Sequence, residues 1–139
     1  LGLFRTGDAV EADLVARIVA LAIDGVTADQ VSWDERRKGA PLPAIILHQI
    51  APGALYSHEG RNALAQPRLQ ATILAASPAE RQRVADAVQA GLEPAATVGA
   101  TAFGEAFLIM APDLPVERIE DAARVFGRAL DFELTWHPA

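Results

Sequence analysis

The sequence contains no cysteine. Disulfides, thiolate nucleophiles and cysteine-ligated zinc or iron–sulfur centres are therefore excluded. Lysine is almost as scarce: Lys38 stands alone, and every other basic residue is arginine. Long apolar runs are missing too. "AIIL" and "FLIMA" fall far short of the roughly 20 residues needed to cross a bilayer. A surplus of basic charge is also lacking. The formal net charge is −6 and the pI near 4.9, which argues against a tight, non-specific grip on nucleic acid. Aromatics are few, at 6%, and neither Trp33 nor Trp136 comes with a basic groove. Both are expected in a core or an interface rather than on a base-stacking platform.

What is present describes an ordinary globular chain. Its 139 residues are 51% hydrophobic and 22% charged, enough to bury a real core as a single domain over 1–139. No basic segment followed by an apolar one opens the sequence, so no secretory signal is expected. The chain begins on Leu1 rather than methionine, and the N-terminus is expected to have been trimmed.

Periodicity divides the chain. Asp8 followed by Glu11 has the capping-box spacing, and Val10, Leu14, Ile18 and Leu21 recur at helical intervals. Val31 and Trp33 suggest a short strand. A charged turn, "DERRKGAPLP", leads to Ala44–Ile50, apolar on both faces and hence central in a sheet. After a long loop holding "YSHEGR", the segment from Leu64 to Ala75 alternates as a strand does. Ser77-Pro78-Ala79-Glu80 predicts a second capped helix with Val84, Ala85, Val88 and Leu92 on its apolar stripe. "AATVGATAFGE" reads as a loop, Ala106–Met110 as a strand, and 115–123 as a short helix or turn. Phe126, Leu130, Phe132, Leu134 and Trp136 then form one face of a closing strand, with Ala129, Asp131, Glu133 and Thr135 on a wet face. The expected fold is α+β: a mainly antiparallel sheet of about four to five strands with two helices on one face.

Candidate chemistry is thin. His48, His58 and His137 share no local element, so a nitrogen-and-oxygen metal site lacks its usual spacing. Ser32, Ser57 and Ser77 stand in no nucleophile elbow, and Ser77 is already accounted for as a helix cap. Gly99 and Gly104 do not follow a strand to open a helix, so no phosphate cradle is expected. His58 and Glu59, adjacent in extended backbone, would point to opposite sides. No catalytic, cofactor-binding or metal-ligating residue is assigned. An enzyme reading would rest on His48, His58 or Glu59, and a regulatory ligand-binding domain is a further alternative. Tyr56, His58, Glu59 and Arg61 fit a protein-contact loop better, since Tyr and Arg are favoured at interface centres. The basic cluster Arg36-Arg37-Lys38 is a second candidate contact, too small to be a primary DNA-binding surface.

Taken in order, "GAPLPAIILHQI", the loop with "HEGR", "PRLQATILAASPAERQRVADAVQAGLE" and "RALDFELTWH" resemble the tail-terminator, or tail-completion, family of long-tailed bacteriophages and gene transfer agents. The likeness runs from about Asp8 to His137. Its closing features fall on Asp131, Phe132, Trp136 and His137, while "APDLPVERIEDAARVF" departs from the pattern. The resemblance implies a non-enzymatic virion protein, assembled in the bacterial cytoplasm without contact with a membrane. It implies a six-membered homo-oligomeric ring on the head-proximal end of the tail tube. Such a ring stops tube polymerisation, offers a docking surface to the head connector, and lets DNA pass without sequence-specific binding. Its partners would be the tail-tube protein and the connector or stopper protein. A connector or stopper component is the neighbouring alternative.

Overall fold

In the computed structural model, the described residues are 6–36, 38–51, 54–57, 60–65, 68–119 and 123–139, with side-chain surroundings given at 10–36, 38–49, 68–117 and 124–139. In chain order the elements are α1 (Thr6–Ala20), β1 (Val31–Trp33), β2 (Ala44–Ala51), β3 (Ala54–Ser57), β4 (Gly60–Ala65), β5 (Arg68–Ala75), α2 (Pro78–Leu92), β6 (Ala96–Val98), β7 (Thr101–Phe103), β8 (Phe107–Met110), β9 (Glu117–Ile119), β10 (Ala123–Glu133) and β11 (Trp136–Pro138). The fold is α+β, as the alternation of strand and helix periods predicts.

The main sheet has the order β1-β2-β5-β10-β8, and β9 pairs the first residues of β10. Both helices lie on one face. Leu14 and Ile18 of α1, and Val84, Val88 and Leu92 of α2, pack with Ile45, Leu47, Ile73, Leu130 and Phe132 of the sheet, all sealed from solvent. β5 alternates strictly between half-buried and buried positions, because only one of its faces meets the helices. β6, β7 and β11 form a separate three-stranded sheet beside α1.

α2 begins as its sequence demands. Ser77 accepts a hydrogen bond from the Glu80 amide at 3.1 Å, Glu80 Oε1 accepts from the Ala76 amide at 3.0 Å, and Pro78 occupies the first turn. Its far end has no glycine cap, since Glu93 stays in the right-handed helical region. Arg17 from α1 supplies the missing donors, reaching the carbonyls of Gly91 and Pro94 at 3.1 and 2.5 Å. α1 starts at Thr6, so Asp8 lies inside the helix rather than at its N-cap.

Four further elements differ from the sequence reading. β1 and β2 run parallel, not antiparallel. The connection between them, 34–43, is stabilised by Gln30, whose amide donates to Gly25 O at 3.0 Å and Pro43 O at 2.8 Å. The long loop is instead largely a hairpin, β3 with β4. "AATVGATAFGE" is a second hairpin, β6 with β7, anchored by Asp13. The Asp13 carboxylate accepts from the Ala100 amide at 3.2 Å and the Thr101 hydroxyl at 2.7 Å. The segment 115–123 carries β9, a strand rather than a helix or turn.

Asp131 is a fifth difference. The wet face expected of the last strand is buried at this residue, which is only 8% exposed. β10 sits between β5 and β8, and flanking strands cover both of its edges. Gln70 Nε2 donates to Asp131 Oδ1 at 2.9 Å, satisfying a carboxylate oxygen that would otherwise be costly to bury.

Candidate functional site

The sequence-predicted contact residues fall in two places. Tyr56 and Arg61 are cross-strand partners on β3 and β4, and Ser57 pairs with Gly60. "YSHEGR" therefore spans the end of a hairpin. His58 and Glu59 lie outside the described residues, as does Arg37. Arg36 and Lys38 lie on the connection that follows β1, where the Arg36 guanidinium donates to the carbonyl of Ala40.

Arg36 and Lys38 also line a surface cleft of about 790 Å³. One wall is α1, through Glu11, Ala12 and Val15; another is β1, through Val31, Ser32 and Trp33; Glu35 completes the rim. The cleft thus borders one outer edge of the main sheet. Its charged groups are of both signs, and Glu11 already engages a neighbour.

The opposite edge of the sheet is a different surface. The chain from β8 to β9 runs irregularly along β10: β8 pairs with residues 131–133, Asp113 bridges to Arg128, and β9 pairs with residues 123–125. Its middle is guarded by Pro112 and Pro115, which cannot donate to a ladder. Asp113 pins it to the body. Arg128 Nε donates to the Asp113 carboxylate at 2.6 Å, and Arg81 from α2 lies 3.4 Å away. The hydrogen bond from Arg128, aided by both guanidinium charges, holds the Asp113 carboxyl below its ordinary range.

β8 itself has no such guard of charge or proline. Its sequence is "FLIM", and Phe107, Ile109 and Met110 are 63%, 46% and 50% exposed. Leu108 alone turns inward against the core. Natural edge strands are normally blunted by charge, proline, bulges or cover. Here only a register shift opposite Asp131 and Phe132 interrupts the run. Sequence reading found the strand but missed the surface. The available signal was four consecutive apolar residues at a stretch later closed by "APDLP", where a half-buried strand should alternate.

Of the residues the enzyme reading would use, only His48 lies among the described ones. His48 is half-buried on β2, in register with Gln70 and next in the row to Asp131. His137 lies exposed on β11, its Nδ1 2.9 Å from the Pro138 carbonyl. The Ser77 hydroxyl is committed to its cap. Among the described residues, no three of His, Asp or Glu gather as metal ligands. Trp33 and Trp136 both pack on the core.

No protein-family model matches the sequence, and no curated protein matches it. Solved structures do. One chain from the "Virion of native gene transfer agent (GTA) particle" aligns over 97% of this chain and all of its own length, with 15% identity and a TM-score of 0.61. A second solved chain aligns over 96% of this one and 99% of itself, again at 15% identity, with a TM-score of 0.58. At such identities the likeness establishes a shared fold. The architecture described above is one that also occurs, end to end, in a gene transfer agent virion.

Proposed function

We propose that this chain is a structural protein of a phage-like particle: a tail terminator. On this reading it forms a homo-oligomeric, six-membered ring on the head-proximal end of the tail tube. The ring ends tube growth and presents a docking face to the head connector, and DNA passes through its acidic lumen without being read. The observation that carries the reading is the fold likeness to a chain of a gene transfer agent virion, spanning nearly the whole of both chains. Beside it stands the sequence resemblance to tail terminators, carried by a helix, an aliphatic strand, a glycine-containing loop, a strand–helix unit and a closing strand in that order.

The surfaces suit assembly better than turnover. An exposed apolar strand edge is a contact feature, and a net charge of −6 repels DNA phosphates from a conduit. The test is to add the purified chain to polymerising tail-tube protein. A terminator shortens the tubes and is found at one end of each. A protein that ignores the tube but binds the head-side adaptor is instead a connector or stopper component.

A further inference from the structure

The main sheet has a second face. Strand alternation turns Leu47, Ala71, Leu130 and Phe132 toward the helices and their chain neighbours the other way. Across that other face runs one row in register, His48–Gln70–Asp131–Met110, and beside it a second, Arg68–Glu133–Phe107. Ile109, at the register shift, joins Met110 and Phe107 there, while Leu108 pairs with Phe132 on the helix side. Leu114 lies over the far end of this face, at Leu74 and Gly127.

Asp131 is out of keeping with its place. It stands on this face between half-buried Gln70 and exposed Met110, yet is itself only 8% exposed. Buried charges are normally paired with the opposite sign and fully hydrogen-bonded. A carboxylate offers about four lone-pair sites, and the hydrogen bond this one receives from a described side chain is that of Gln70 Nε2 to Oδ1, at 2.9 Å. No arginine, lysine or histidine among the described residues forms an ion pair with it. Arg68, on the same face, stands in register with Glu133 and not with Asp131.

We propose that Asp131 is the acidic floor of a docking site for a basic side chain, an arginine or lysine carried by an extended segment of a partner protein. Charge specifies the occupant. The Asp131 carboxylate and exposed Glu133 call for a cation, and Phe107, Ile109 and Met110 call for apolar side chains beside it. An arginine meets both demands, since its guanidinium can donate to the second carboxylate oxygen while its stem packs on methionine. Met110 is unbranched and flexible, so it can move aside to admit the side chain. Nucleic acid is the wrong partner here, because its phosphates would be repelled.

The probe is a blocked pentapeptide, Thr-Val-Arg-Val-Thr, titrated across the millimolar range into the isotope-labelled full chain and followed by NMR. The backbone amides of Gln70, Asp131 and Met110 should shift and saturate. The same peptide with citrulline, which keeps arginine's shape without its charge, should bind at least about tenfold more weakly. The arginine peptide should lose affinity by the same factor against Asp131→Asn. Met110→Arg, at an exposed position, supplies the cation from within the chain and should abolish binding. Melting curves like the wild type's would confirm that the variants fold.

Shifts absent from these amides, or spread evenly over the other exposed carboxylates of this acidic chain, would overturn the proposal. Citrulline binding as well as arginine would overturn it too, as would unchanged affinity in Asp131→Asn or in Met110→Arg. If Asp131→Asn does not fold, Met110→Arg decides alone. Failure here is distinguishable from failure of the terminator reading. The titration needs neither ring nor tail, and cells lacking the gene make overlong tails or normal ones whichever way it comes out.

Discussion

Replacing Arg17 tests how the two helices are locked together. Its side chain is 4% exposed and reaches the end of α2, where Gly91, Leu92 and Pro94 present carbonyls without helical partners. Burial also lowers the pKa of its guanidinium, a sign that the charge is held at a desolvation cost. The charge-assisted bonds to these carbonyls are worth roughly 1.5–3 kcal/mol each in favourable cases. The face of Phe103, 5.4 Å away, adds about 0.5–1 kcal/mol. Releasing the buried charge offsets part of that sum, and Nη1 has no partner to lose. We expect Arg17→Ala to cost about 3 kcal/mol net, because the carbonyls lose their donors within a buried contact. For a chain of this size that is a melting-point drop of about 10 °C. Arg17→Lys keeps the charge but loses the fork, and should cost about half as much. Urea denaturation followed by circular dichroism, at fixed protein concentration, measures both. A loss below about 1 kcal/mol for Arg17→Ala would refute the capping role.

Other sites give sharper local tests. Gly99 has φ +57°, and a Cβ there would run into the Asp13 carboxylate that anchors the β6–β7 turn, so Gly99→Ala should destabilise by about 1–3 kcal/mol in the same assay. A Cβ on Gly127 would lie 3.0 Å from Leu114 Cδ1 and 3.3 Å from Leu74 Cδ2, so Gly127→Val should cost about 1–3 kcal/mol by lifting the 112–116 segment off β10. The folded pKa of Asp113 is depressed, so its contribution is present above the ordinary carboxylate value of 3.8 and lost as pH falls through the lower folded value. The stability gap between wild type and Asp113→Asn should therefore be constant near neutrality and shrink in that acid range; a gap that grows with acid would contradict the ion pairing.

The legible parts of the fold were those where one face carries a clean period. α2 was announced by Ser77, Pro78 and Glu80 and by a valine–leucine stripe, and β5 by strict alternation, because each packs only one face on the core. β2 showed as the apolar run Ala44–Leu47, of which Ile45 and Leu47 are sealed and Ile46 is half-buried. The elements that were missed are held by partners distant in sequence. β6 and β7 are only three residues each, and their turn is set by Asp13, far back in α1. β9 was obscured by Pro112 and Pro115, which interrupt the period although the chain continues along β10. The parallel pairing of β1 and β2 is accompanied by the Gln30 side chain bonding to the Pro43 carbonyl just before β2, which no periodicity encodes.

Site residues were less legible than the fold for a related reason. Tyr56 and Arg61 were singled out by residue type, and pairing across β3 and β4 gives them a common place without saying what they touch. The apolar edge at Phe107, Ile109 and Met110 read in the sequence only as part of a strand, Ala106–Met110. Only the sheet order, which leaves β8 outermost, turns it into a surface.

The most direct test of the central claim is electron microscopy of particles produced by cells lacking this gene. The terminator account predicts overlong tail tubes without heads. Tails of normal length would contradict it, and if those tails also failed to join heads the protein would belong to the connector.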